Sequence, residues 1–322
     1  MRMRPYKRLI LVAGFLILLL PLIALSQAKV GTTGVNFLEL GVSARAMGMA
    51  EAYVAGVTDA SAVYYNPAAL TYVYGREIMF THIEMPAGIN YEAFALAYPM
   101  ESISSVLGLG VYSLNTGDIL RTDYYFAYGY YDEQEGYQYF SAGDLAMSLS
   151  FGRFLTDRFS MGFTVKFIQE SLEEEKAVGW AADVGTCYNA GYRNFKIGMV
   201  ISNFGPDMKF LEKEFPLPIN FRFGASIDVL DMENHLAMFS AEGSHPADNL
   251  EKYNIGVEYR YRDRFTLRVG ERINYDIDGF TAGAGLMLPM GNDMDISVDY
   301  AYQDFGLLPD TEVHRFTIGF VF

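Results

Sequence analysis

From Arg76 onward, apolar and polar residues alternate with a period of two, and that pattern leaves the chain few folds to choose from. In "RFSMGFTVKFIQ", Phe159, Met161, Phe163, Val165 and Phe167 fall on one face, with Ser160, Gly162, Thr164 and Lys166 on the other. "GWAADVGTCY" sets Trp180, Ala182, Val184 and Tyr188 against Ala181, Asp183, Gly185 and Cys187. "MDISVDYAYQD" sets Ile296, Val298, Tyr300 and Tyr302 against Asp295, Ser297 and Asp299. Only an extended strand projects successive side chains to opposite faces.

Read this way, the chain carries fourteen strands. They lie near 76–85, 89–99, 105–114, 139–153, 158–170, 177–189, 194–203, 217–229, 236–243, 252–262, 265–275, 279–289, 294–303 and 312–322. Many exceed the usual five or six residues of a soluble sheet and reach the roughly 9–11 that a tilted strand needs to cross a bilayer. The connections divide by length. One rim carries short turns such as "TDR", "DMEN" and "GND". The other carries "ESLEEEKA", "NFGPDMKFLEKEFP", "EGSHPADNLEK", "FGLLPDTE" and the tyrosine-rich 115–138, with room for a further strand pair. Short turns at one end and longer, acidic loops at the other mark a bacterial outer-membrane barrel. The last segment, "HRFTIGFVF", aligns Phe316, Ile318, Phe320 and Phe322 on one face, as a closing strand in lipid requires.

The fold class expected is therefore all-β: a transmembrane antiparallel β-barrel of about 14 strands over residues 76–322, located in the outer membrane and surrounded by its lipid. Before it comes a leader at 1–28, with Arg2, Arg4, Lys7 and Arg8, an apolar middle, and small residues at Ser26 and Ala28. It reads as a secretory signal peptide cleaved after Ala28, with an uncleaved anchor as the alternative. No cysteine follows the leader until Cys187, the only one in the chain, so an intrachain disulfide and a thiolate metal site are excluded. Beyond residue 28 stand 20 basic against 39 acidic side chains, a balance that argues against nucleic-acid binding.

Residues 29–75 differ from the rest. "LGVSARAMGMAEAYVAGVTDASAVYYNPAAL" is rich in small residues, with helical spacing over 46–53 and 61–65. Asp59 is placed to cap the second short helix. Pro67 holds Asn66 extended and ends that helix, and "AAL" begins another turn. A fourteen-strand barrel has a lumen too wide for its own side chains to fill, so this segment is expected inside it as a short helical plug. Arg45, Gly48, Asp59, Ser61, Asn66 and Pro67 form the plug motif. Lys166, Asp183, Glu258 and Asp299 are the candidate lumen polar residues. They read either as a solute-facing set or as a paired inward face.

"GVSARAMGMAEAYVAGVTDASAVYYNPAAL" resembles the N-terminal signature of the PorV/PorQ family of outer-membrane proteins. "VKFIQESLEEEKAVGWAADVGTCY", "IGMVISNFGPDMKF" and "PLPINFRFGASI" resemble its consecutive barrel segments. The family is related more distantly to the long-chain fatty-acid transporter (FadL-like) superfamily, whose plug has a similar Asp-Ala-Ser…Asn-Pro-Ala run. The resemblance implies a fourteen-stranded plugged barrel with a secretion- or surface-associated role and a secreted or surface protein as partner. The alternative it implies is FadL-like transport of long-chain fatty acids or other hydrophobic solutes. Two departures stand out: Tyr64-Tyr65 where Trp often precedes Asn-Pro, and compact loops that reduce any cargo-docking surface.

No set of residues assembles an active site. His82, His235, His245 and His314 lack metal-ligand spacing, Ser61 lacks a nucleophile-elbow context, and Glu173, Glu174 and Glu175 read as a solvated loop tip. The chain reads as a non-enzyme without cofactor or metal.

Overall fold

The computed structural model describes residues 30–121, 139–275, 279–291, 294–304 and 311–322. The leader and most of the segment 115–138 lie outside them.

Fourteen antiparallel strands close into one barrel. The first seven are β1 (Glu77–Met85), β2 (Ile89–Met100), β3 (Ser105–Asn115), β4 (Ala142–Phe154), β5 (Phe159–Leu172), β6 (Glu175–Asn189) and β7 (Lys196–Phe204). The rest are β8 (Asn220–Met232), β9 (His235–Pro246), β10 (Lys252–Tyr261), β11 (Phe265–Ile273), β12 (Phe280–Pro289), β13 (Asp295–Asp304) and β14 (Glu312–Val321). Each pairs with its sequence neighbour, and β1 pairs with β14, from Glu77 opposite Val321 to Glu84 opposite His314. Arg76 and Phe322 extend that seam by exchanging backbone hydrogen bonds of 3.1 and 2.9 Å. Closure leaves no sheet edge with unpaired N–H and C=O groups facing hydrocarbon, which cannot hydrogen-bond them. No described helix is long and apolar enough to cross a membrane; the strands do so.

The alternation read in the sequence sorts the two faces. Along β5, Phe163 and Val165 are 52% and 50% exposed on the outer wall, while Thr164 and Lys166 between them are 0% and 2% exposed inside. Phe316, Ile318 and Phe322 face outward, as expected.

Two expectations about the loops change. "ESLEEEKA" is not a long loop: β5 and β6 continue to Leu172 opposite Glu175, leaving a two-residue turn. Its charges sit on a hairpin that rises past the apolar band, where both faces are exposed. The tip at Glu173 has positive φ and pairs with Arg121. The segments flanking 122–138 form a small ribbon, Ile119–Leu120 with Tyr139–Phe140, outside the barrel sheet. A second ribbon, Met208–Phe210 with Lys213–Phe215, stands in the loop before β8.

Candidate functional site in the plugged lumen

Residues 34–75 run through the lumen from the long-loop rim to the short-turn rim. At entry the Gly34 amide donates to Pro216 O and the Val35 amide to Glu170 Oε1. At exit Gly75 meets the terminal Phe322. The segment forms a 3₁₀ turn at Asn36–Glu39, helix α1 (Ala44–Gly48), helix α2 (Ala62–Tyr65) and a 3₁₀ turn at Pro67–Tyr72. Helix α1 is shorter than its spacing suggested, because Ala50 and Glu51 both take positive φ and reverse the chain. Ser43 caps it, accepting from the Ala46 amide. Asp59 Oδ1 accepts from the Ser61 amide at 3.0 Å, just ahead of α2. Asn66 Oδ1 caps the turn that Pro67 opens, accepting from the Ala68 amide at 3.1 Å.

Glycines seat the plug on the wall. Gly152, Gly162 and Gly185 lie side by side on β4, β5 and β6, and Gly256 lies opposite Gly270 on β10 and β11. A Cβ at Gly162 or Gly185 would overlap Pro67 or Asn66, and one at Gly256 would stand 2.5 Å from Met49 O. Plug backbone therefore meets the wall at Gly162 and Gly256, and the Asn66 side chain meets it at Gly185, approaches that only glycine allows. Gly48 of the motif works from the plug's side, its own added Cβ falling 3.1 Å from Gly283 Cα.

Buried charges pin the plug on one side. Arg45 places Nε 2.8 Å and Nη2 2.9 Å from the two Glu258 oxygens, and its Nη1 reaches Asp59 at 3.2 Å. Glu258, 0% exposed, also accepts from Arg268 Nε at 2.7 Å and Arg260 Nη2 at 2.9 Å. Arg268 continues to Asp299 at 2.6 Å. Tyr53 donates to Asp59 at 2.6 Å. One network thus joins the plug to β10, β11 and β13. Lys166 and Asp183 form a separate pair, 2.8 Å apart, and Lys166 also donates to Asn203 Oδ1 at 2.7 Å. The register shift between β6 and β7 puts Asn203 at positive φ with its side chain inward. Of the four lumen residues expected, Glu258 and Asp299 come together, and Lys166 pairs with Asp183 elsewhere.

Sequence reading missed the third anchor. Arg222 bonds Glu242 Oε1 at 2.6 Å, and Glu242 Oε2 accepts from the Tyr53 and Val54 amides at 3.0 and 2.8 Å. The Asn66 amide group donates to Val54 O and Thr186 O, tying the plug across to β6.

The opposite wall differs in kind. Apart from Glu77 and Asp144 near their ends, the inward positions of β1–β4 carry no charge. They include Met79, Ile83, Tyr91, Ala95, Tyr112 and Ala146, all buried. Against them the plug sets Phe37, Val63, Tyr64 and Leu70, with Phe37 edge-on to Tyr91 and Tyr64 edge-on to Tyr112. The described plug hydrogen bonds reach β5, β6, β8–β10, β14 and Glu77 of β1; none goes to β2 or β3.

Cavities lie on both sides of the plug. One of about 70 Å³ on the long-loop side is lined by Glu51, Lys166, Arg222, Glu242 and Arg272. One of about 330 Å³ on the short-turn side is lined by Arg45, Asp59, Glu77, Arg268 and Asp299. Neither is an apolar tunnel. Outside the strands, burial first and then the Asp248 carboxylate push Glu39 up to about 7, against the pull of Lys252. Among the described residues, no three His, Cys, Asp or Glu are grouped to hold a metal.

A family model described as type IX secretion system membrane protein PorP/SprF matches residues 59–320. The chain belongs to that family; the PorV/PorQ likeness read from the plug motif and three barrel segments holds in its coarser form, as an outer-membrane barrel related to type IX secretion proteins. No curated protein matches the chain. Among solved structures it is similar to the CymD monoaromatic hydrocarbon channel, with TM-score 0.58 and 13% identity over 88% of this chain and 98% of that one. The Pseudomonas putida toluene transporter TodX gives 0.58 and 12%, over 87% and 97%. A Pseudomonas aeruginosa FadL homologue gives 0.56 and 12%, over 87% and 98%. At these identities the likeness is one of fold. The protein is a multi-pass outer-membrane β-barrel related to type IX secretion proteins, with the fold of FadL-type transporters. Its relatives by family and fold are secretion, transport and channel proteins, not enzymes.

Proposed function

We propose that the barrel passes small hydrophobic solutes along the seam between the plug and strands β2 and β3. The observation that carries this reading is the asymmetry of the lumen wall. Ion pairs tie the plug to β10 and β11 and hydrogen bonds tie it to β8 and β9, whereas only apolar and aromatic contacts hold it to β2 and β3. Separating buried charges costs several kcal/mol, so the plug stays hinged on its charged side. An apolar seam costs about 25 cal/mol per Å² to open in water, and an apolar solute that fills it restores that contact. The fold shared with hydrocarbon channels and toluene transporters favours the same reading.

An engineered Val63→Cys/Gly108→Cys pair tests it. A Cβ built on Gly108 of β3 falls 2.5 Å from Val63 Cγ2, so a disulfide there fastens the seam. In proteoliposomes, oxidation is expected to stop uptake of labelled toluene or oleate, and reduction to restore it. Uptake indifferent to the cross-link would refute passage along the seam.

A second reading, a component of type IX secretion that meets a secreted or surface protein, is favoured by the family match. It predicts that deletion in the native host strips cargo from the cell surface, and that the oxidised cross-linked variant restores the cargo while transporting no solute.

A further inference from the structure

The outer wall carries a recess that the lumen does not explain. It holds about 300 Å³ and opens on the face of β1–β3 and β14, lined by Phe80, Phe94, Val111, Phe316 and Ile318. That is roughly ten times the ~30 Å³ that one water occupies in the liquid. All five side chains point outward from four adjacent strands, within the apolar band of the outer wall. Phe80 and Phe94 stand with ring centroids 5.1 Å apart.

The rim of the recess toward the long loops is polar and acidic. His82 Nδ1 lies 2.6 Å from Glu92 Oε1, and both are exposed. Glu84 lies opposite His314 across the β1–β14 pair, and Tyr300 OH lies 2.9 Å from His314 Nδ1. At the end of β13, Asp304 lies directly opposite Glu312. Like charges in register destabilise a strand pair. The outward described positions of β13, β14, β1, β2 and β3 hold these four carboxylates and no Lys or Arg. Apolar floor, membrane depth and acidic rim coincide on one patch.

We infer that this recess is a binding site for an outer-leaflet lipid bearing a primary ammonium group. One acyl chain fills the recess among Phe80, Phe94 and Phe316. The ammonium donates to Glu92, with Glu84 adding negative potential and His82 holding the Glu92 carboxylate over the recess. A charge-assisted hydrogen bond at the edge of a low-dielectric layer is stronger than a neutral one. The bare phosphate of an anionic lipid meets the same carboxylates as repulsion.

The test is native mass spectrometry of the full chain released from mixed micelles of phosphatidylethanolamine, phosphatidylcholine and phosphatidylglycerol. One retained phosphatidylethanolamine per barrel is expected, favoured about tenfold over phosphatidylcholine, whose quaternary head group has no N–H to donate. Glu92→Gln should remove most of that preference. Val111→Phe, which fills the recess and leaves the rim intact, should reduce retention of every lipid. Heat-modifiable gel migration identifies folded barrels among the variants. Equal retention of the three lipids, preference for phosphatidylglycerol, or a Glu92→Gln variant with unchanged selectivity would each overturn the assignment. So would occupation of the recess by a protein chain in place of lipid.

Discussion

Replacing Glu258 by Gln should loosen the plug more than any other single change to the lumen. Glu258 is wholly buried and accepts four hydrogen bonds from three guanidinium groups: two from Arg45 and one each from Arg260 and Arg268. Glutamine keeps the volume, but it removes the charge and turns an amide N–H toward groups that can only donate. Hydrogen bonds to charged groups contribute roughly 1.5–3 kcal/mol each, so four lost bonds set an upper bound near 6–12 kcal/mol. Arg45 keeps Asp59 at 3.2 Å and Arg268 keeps Asp299 at 2.6 Å, which offsets part of the loss. The expected cost is then about 3–5 kcal/mol, the range for breaking a buried ion pair. Urea unfolding in lipid vesicles measures it, with the emission of Trp180, the chain's single tryptophan, as the signal. The double variant Arg45→Met/Glu258→Gln should cost less than the sum of its singles, since each removes the other's partner. A Glu258→Gln loss below about 1 kcal/mol, or strict additivity, would refute the pinning of the plug by this cluster.

Three other outcomes follow from the same geometry. Gly162→Val puts side-chain atoms into the Pro67 backbone, so an overpacking loss of about 1–3 kcal/mol and faster tryptic cleavage at Arg45 are expected, with barrel migration on gels unchanged. Cys187, 1% exposed, should resist maleimide in the native barrel and react once Gly162→Val displaces the plug; equal labelling of both proteins would contradict the seating. Glu39 keeps its proton to about pH 7 when folded and to about 4.5 when unfolded, so its contribution to stability is greatest below 4.5 and falls as pH rises through 7. Unfolding between pH 4 and 8 should show a slope in the wild type that Glu39→Gln flattens.

The wall of this barrel was legible because period-two alternation is local: Phe163, Thr164 and Val165 declare their faces without knowledge of any neighbouring strand. The Asn66–Pro67 step was legible for the same reason, as a helix stop and a turn start built from adjacent residues; that Asn66 Oδ1 also caps the turn was not. The hairpin at Glu173 was misread as loop because its charges mark solvent, and a strand pair that climbs beyond the lipid band is solvated on both faces. The lumen network was only partly visible. Glu258 and Asp299 stood out as inward acids, and Arg260 and Arg268 lie close to Glu258, on its own strand and directly opposite it in the next; but Arg45 is 213 residues away, and only insertion of the plug brings it there. Glycines at inward positions were in plain view. Their meaning as seats for backbone depended on knowing that the plug runs against them. Asn203 could not be foreseen, because a bulge shifts the alternation by one residue and turns inward a side chain the pattern assigns outward.

The ionic conductance of the purified protein in a planar bilayer tests the central claim most directly, namely that residues 34–75 fill the lumen and close it. The wild-type barrel should show no sustained current, and a variant with 36–72 replaced by a short flexible linker should show the steady steps of an open fourteen-stranded pore. Open-pore current from the wild type, or a linker variant that inserts and folds yet stays silent, would contradict it.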